Sequence, residues 1–161
     1  MKSEGSKLYN SRWVAEAHAY PSTVAYTAGD LMGTKLTFAD VIQADYGGGE
    51  ITSVTVVDLA KQLTAMDLLL FDELSTGTAW ATGDNAALDV ADADALNCIG
   101  KISIGTGDYS SLNDNAIATK STSLPFYVRG RNLYGLLVTR GTPTFADTDD
   151  LTVKISIERD N

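Results

Sequence analysis

The chain has 161 residues, 44% hydrophobic and 20% charged, a balance that suits a packed globular fold and argues against disorder. Its single cysteine, Cys98, excludes an internal disulfide framework, so packing or assembly must hold the fold. The formal charge is -9, and it is concentrated between Phe38 and Ala95, where Lys61 is the one base among eleven acids; a polyanionic duplex is repelled by such a span, and nucleic acid is not an expected partner.

Residues 1–11 are expected to form a flexible arm. The segment is polar and contains Gly5, only Leu8 and Tyr9 offer apolar contact, and Lys2 and Lys7 make it locally basic. It either docks on a neighbouring subunit or is a frayed terminus. It holds no apolar core segment of the kind a signal peptide needs, and nowhere do eighteen apolar residues run together, so neither a leader nor a membrane span is expected.

From residue 12 to 161 the expectation is one all-β domain, a β-sandwich or jelly-roll-like fold of about eight strands with little helix. Trp13 to Tyr20 and Lys35 to Phe38 are weaker strand candidates, and Gly47-Gly48-Gly49 reads as a permissive turn. Ile51 to Val57 and Met66 to Phe71 are short apolar runs that suit core strands. Helical signal is confined to Val90 to Cys98 and a turn near Leu59 to Leu63; the first reads either as a loop or as a short turn capped by Asp92, with Ala95, Leu96 and Cys98 facing the core. Ile99 to Ile104, Leu124 to Val128 and Leu133 to Thr139 continue the series, and Ala116 to Thr119 is a third weaker candidate. The clearest case is Leu151 to Glu158, where Leu151, Val153, Ile155 and Ile157 alternate with Thr152, Lys154, Ser156 and Glu158, giving one buried and one wet face.

Residues that carry chemistry are few. An imidazole-based nucleophilic centre has only His18 to draw on, and Cys98, despite Lys101 nearby, reads as a buried inert thiol. One cysteine and one histidine do not make a common zinc site. Asp84, Asp89, Asp92 and Asp94, and again Asp147, Asp149 and Asp150, cluster in sequence but lack the spacing of an EF-hand; they read as solvated turns, with Asp92 and Asp94 the ligands if calcium were bound. Asp67 and Asp72 would lie at opposite ends of one strand, unlike the close carboxylates of a retaining glycosidase. The triple glycine lacks the Lys-Ser or Lys-Thr of a phosphate loop. No catalytic residue, cofactor or metal is therefore expected. Among aromatics, Phe126, Tyr127 and Tyr134 are assigned to the core, Trp13 and Tyr20 to core or contact, and Trp80, flanked by alanines, to a lid or a contact with a partner.

The runs Ile51 to Phe71 and Asn132 to Phe145, with Ala25 to Asp30 leading to Leu36-Thr37-Phe38 and Ile99 to Ile104 leading to Asp108-Tyr109, resemble a family of small tailed-phage virion proteins encoded among head genes. The resemblance extends from about Tyr26 to the C-terminus in its order of blocks. It implies a structural shell component without catalytic residues, made in the host cytoplasm and carried on the virion. With a single domain and no reaction signature, the expected role is a capsid decoration or cement protein on the outside of the head. It would bind major capsid protein as a homo-oligomer, a trimer, with Lys2, Lys7, Trp13 and Trp80 as interface candidates. The alternative is a tail or head-fibre adhesin that binds host surface glycan.

Overall fold

A computed structural model of the chain describes residues 12–74 and 83–160. Nine strands are formed among them: β1 (Arg12–His18), β2 (Leu36–Phe38), β3 (Gly47–Asp58), β4 (Met66–Phe71), β5 (Cys98–Ile104), β6 (Tyr109–Leu112), β7 (Asn115–Val128), β8 (Leu133–Thr139) and β9 (Leu151–Arg159). They build a β-sandwich of two antiparallel sheets, one in the order β1-β9-β3-β7-β6 and the other β2-β8-β4-β5. One short helix, α1 (Asp92–Ala95), and a single 3-10 turn complete the described structure.

The alternation in β9 does what its pattern dictates. Leu151, Val153, Ile155 and Ile157 are buried between the sheets, and each contributes on the order of 1.5–3 kcal/mol by leaving water. They meet Ile51, Val54 and Val56 of β3, and Leu68, Leu70, Leu133 and Leu137 of the facing sheet. The smaller sheet is covered on its other face as well. Phe71 and Leu136 pack there with Leu31, Leu74, Leu88 and Val90. This second layer explains why β4 and β8 read as continuous apolar runs rather than alternating ones.

Several boundaries depart from the sequence reading. Gly47, Gly48 and Gly49 begin β3 instead of making a turn, because the neighbouring backbone comes too close for side chains: a Cβ on Gly49 would lie 2.4 Å from the Glu158 carbonyl oxygen. Ala116 to Thr119 and Leu124 to Val128 are one strand, β7, whose polar middle is held by backbone pairing to β3. Beyond Ala118 its other edge has no β6 partner, which is where Pro125 is tolerated. Helix α1 is capped by Ala91 without a side-chain bond, so Asp92 is not the cap. Ala95, Leu96 and Cys98 face solvent while Asp94 is buried, the reverse of the expected orientation; a single turn is too short to turn a whole apolar face inward.

Polar groups tie the loops down. Asp84 Oδ1 accepts hydrogen bonds from the Tyr26 hydroxyl at 2.6 Å and the Gly33 amide at 2.6 Å, joining two loops 51 residues apart. Burial, then the Asp84 bond, push the Tyr26 hydroxyl up to about 12. Asp58 closes the turn after β3 by accepting the Leu63 amide, in a stretch where Lys61 and Leu63 both adopt positive φ. Its other oxygen is buried without a partner, and burial raises its pKa.

Candidate functional site

Three concavities gather at one end of the sandwich, where β3 begins and β7 and β9 finish. The largest, about 490 Å³, lies between the 42–48 segment and the ends of β7 and β9, within the ~300–1,000 Å³ usual for small-molecule sites. Tyr46 and Tyr127 line it and are 70% and 58% exposed. Gly48 pairs with Tyr127, and the Tyr46 amide donates to the Arg129 carbonyl at 3.0 Å, so adjacent backbones deliver both rings to one groove. A side chain at Gly48 would strike the Phe126 carbonyl at 2.6 Å and the Asp160 carboxylate at 3.2 Å, so glycine keeps the floor open. Asp45, beside Tyr46, is paired with Arg131 at 3.3 Å.

Arg159 forms the inner wall. It lies on the inward register of β9 yet is only 8% exposed, held by the Val41 carbonyl at 2.8 Å and the Asp40 carbonyl. Its guanidinium sits 4.5 Å from the Trp13 ring centroid, a cation–π contact. Trp13 also lines a neighbouring concavity of about 450 Å³ with Val14 and Thr52, at the bulge between Ile51 and Ser53. The third, of about 330 Å³, is bordered by Asp72, Arg129, Arg131 and Tyr134.

Trp13 is thus 42% exposed at the edge of the larger sheet, the one of the four interface candidates that falls among the described residues. Lys2, Lys7 and Trp80 lie outside them. Tyr127 is a correction: it alternates outward between buried Phe126 and Val128, so strand period and not apolar company decides its face. Tyr134 is half-buried on the second layer, and Phe126 is core. Cys98 is a second correction, an exposed free thiol, because β5 begins at the sheet margin.

The remaining candidates are engaged locally. His18 Nδ1 bonds the Thr152 hydroxyl at 3.0 Å and its Nε2 lies 3.3 Å from Glu16, whose other oxygen meets Lys154 at 3.4 Å. This hydroxyl–imidazole–carboxylate series lies on the exposed face of β1 and β9, away from the three concavities. Asp67 is 5% exposed; burial alone would raise its pKa, but the Ser103 bond at 2.7 Å and the Arg140 guanidinium at 2.6 Å outweigh it and hold the carboxyl below its usual value. Asp72, past the other end of β4, is pushed up by burial. Asp150 accepts the Ala146 and Asp147 amides, so it closes a turn. Among the described residues no three His, Cys, Asp or Glu side chains are grouped to hold a metal ion.

No family model matches the chain. Endonuclease MutS2 of Alkaliphilus oremlandii (strain OhILAs) is 29% identical over 139 residues, which cover 78% of this chain and 17% of that protein, so the chain spans about a sixth of that relative's length. Among solved structures, a carbohydrate-binding module specific for non-crystalline cellulose, CBM28, aligns with 93% of this chain and 72% of its own at 12% identity and a TM-score of 0.33. A likeness at that level carries no argument about the site.

Proposed function

We propose that this chain is a head decoration protein of a tailed-phage virion. It is non-enzymatic, binds the outside of the shell as a trimer and clamps neighbouring major capsid protein subunits. The observation that carries the reading is β1. Among the described residues it is an edge strand, paired to β9 on one side, with a row of backbone donors and acceptors on the other that another chain could extend. Trp13 and Val14, 42% and 58% exposed, stand on it as apolar anchors. The basic segment containing Lys2 and Lys7 leads directly into this strand. Repeated by symmetry over a shell, many such interfaces of ordinary size raise the work of opening it.

The resemblance to head-encoded virion proteins supports the same reading. So does the local engagement of Asp67, Asp150 and His18 in structural bonds. The similarity to an endonuclease spans 17% of that protein, and 21 acids against 12 bases disfavour a phosphate backbone as partner. Copy number in purified particles tests the proposal. On the order of hundreds of copies per head are expected from symmetric decoration. A few copies, labelled by antibody on tails alone, would abandon it. Trp13→Ala and Val14→Asp should lower occupancy on stripped heads while the isolated protein keeps its fold.

A further inference from the structure

The groove lined by Tyr46 and Tyr127 combines exposed aromatic rings with charged groups of both signs. Two tyrosines of its lining expose most of their area, although large apolar rings left in water cost free energy that burial elsewhere would recover. Beneath them Arg159 is a buried cation without a carboxylate partner among the described residues. A guanidinium offers five N–H donors. Two carbonyls accept from it, so donors remain at the groove wall for an incoming oxygen. Asp160 brings a carboxylate to the floor over Gly48, and Asp45 stands at the rim.

The charges decide the ligand class. Asp45 and Asp160 offset Arg159 and Arg131, so the groove attracts neither a polyanion nor a polycation. It needs a neutral molecule with flat apolar faces and many hydroxyls that accept and donate. Flat aromatic rings take the first, and carboxylate acceptors beside guanidinium donors take the second. We infer that this groove binds a neutral saccharide chain. Tyr46 and Tyr127 stack on pyranose faces, the Asp45 and Asp160 carboxylates accept from ring hydroxyls, and the Arg159 guanidinium donates to them. The inference goes beyond decoration of a shell and does not rest on it.

The full-length chain is run in affinity gels and titrated calorimetrically with soluble neutral polysaccharides (hydroxyethylcellulose, dextran and galactomannan), with polygalacturonate and a short DNA duplex as anionic arms. Retardation by at least one neutral polysaccharide is expected, with none by the anionic arms. Tyr46→Ala and Tyr127→Ala should each weaken binding at least about tenfold, as central aromatic anchors do. Their melting temperatures should match the parent, since both rings are largely exposed; Tyr46→Phe and Tyr127→Phe, which keep the stacking face, should retain most of the affinity. In a Trp80→Phe background, which leaves Trp13 as the one indole, its emission gives a second readout, because its ring contacts Arg159. Failure of every neutral polysaccharide, preference for the anionic arms, or unchanged affinity in both alanine variants overturns the inference. None of these results bears on head occupancy, so the decoration proposal is judged separately.

Discussion

Removing the hydroxyl of Tyr26 should cost stability out of proportion to one atom. The ring is 2% exposed and packs edge-on against Phe145 at 6.0 Å, so Tyr26→Phe leaves the apolar packing in place. It deletes the 2.6 Å bond to Asp84 and strips the Ser22 amide of the acceptor it reaches at 2.7 Å. A bond to a charged acceptor is worth about 1.5–3 kcal/mol, and the partial burial of this one favours the low end; with the orphaned amide the loss is about 2 kcal/mol. Asp84→Ala removes the acceptor of both Tyr26 and Gly33, for about 3 kcal/mol. In a chain of this size ~2 kcal/mol lowers the melting temperature by about 4–8 °C. Because the two changes share one bond, the double variant should lose about 1–2 kcal/mol less than their sum. Urea titrations followed by circular dichroism give the three midpoints. A Tyr26→Phe protein within about 0.5 kcal/mol of the parent, or strict additivity in the double variant, would refute the reasoning.

Asp58 should make stability fall as the solution becomes less acidic. Its folded pKa is raised by burial, so the folded chain keeps a proton that the unfolded chain has lost, and stability drops from about 3.8 upward through the raised value and stays lower above it. Asp58→Asn, which still accepts the Leu63 amide, should be more stable than the parent at neutral pH and lose that slope; a variant less stable at neutral pH would count against it. Cys98 should react with a disulfide reagent in the native protein, one thiol per chain, at nearly the rate seen in denaturant; protection until unfolding would contradict its exposure. Among the described glycines Gly33→Ala should be the most damaging, at more than about 3 kcal/mol, since φ is +74° and the new Cβ would lie 1.8 Å from the Ala19 carbonyl oxygen. A urea midpoint close to the parent's would remove the steric argument.

The strands that were legible in sequence are those that bury side chains by a local period. Leu151 to Glu158 alternates because one face is wet, and Met66 to Phe71 and Leu133 to Thr139 are unbroken because both faces are covered. Strands held mainly by backbone bonds left no such trace. Lys120 to Ser123, in the middle of β7, and Tyr109 to Leu112, the edge strand β6, bury no side chain fully. The triple glycine misled because the permissive backbone that makes turns also allows close approach within a sheet. At the groove, Tyr127 was within reach of the alternation set by Phe126 and Val128, whereas its apolar neighbours suggested core. Tyr46 was not: it stands at φ 59° ahead of β3 and gains its meaning from segments more than eighty residues away.

The position of β9 bears on how the chain acquires its shape. The last of the described strands in sequence order is second in the larger sheet, between β1 and β3, so until residues 151–159 have been synthesised β1 has no strand partner and β3 is paired on its β7 side alone. A nascent chain lacking them exposes two unpaired strand edges and the apolar faces of Ile51, Val54 and Val56. Closure then joins segments more than a hundred residues apart, the slow class of folding step in which loop entropy is lost before contacts compensate. The larger sheet therefore closes onto β1 in one late step, after Leu151 to Arg159 have emerged, and a chain cut short before Leu151 keeps at most the β3-β7-β6 part of this sheet.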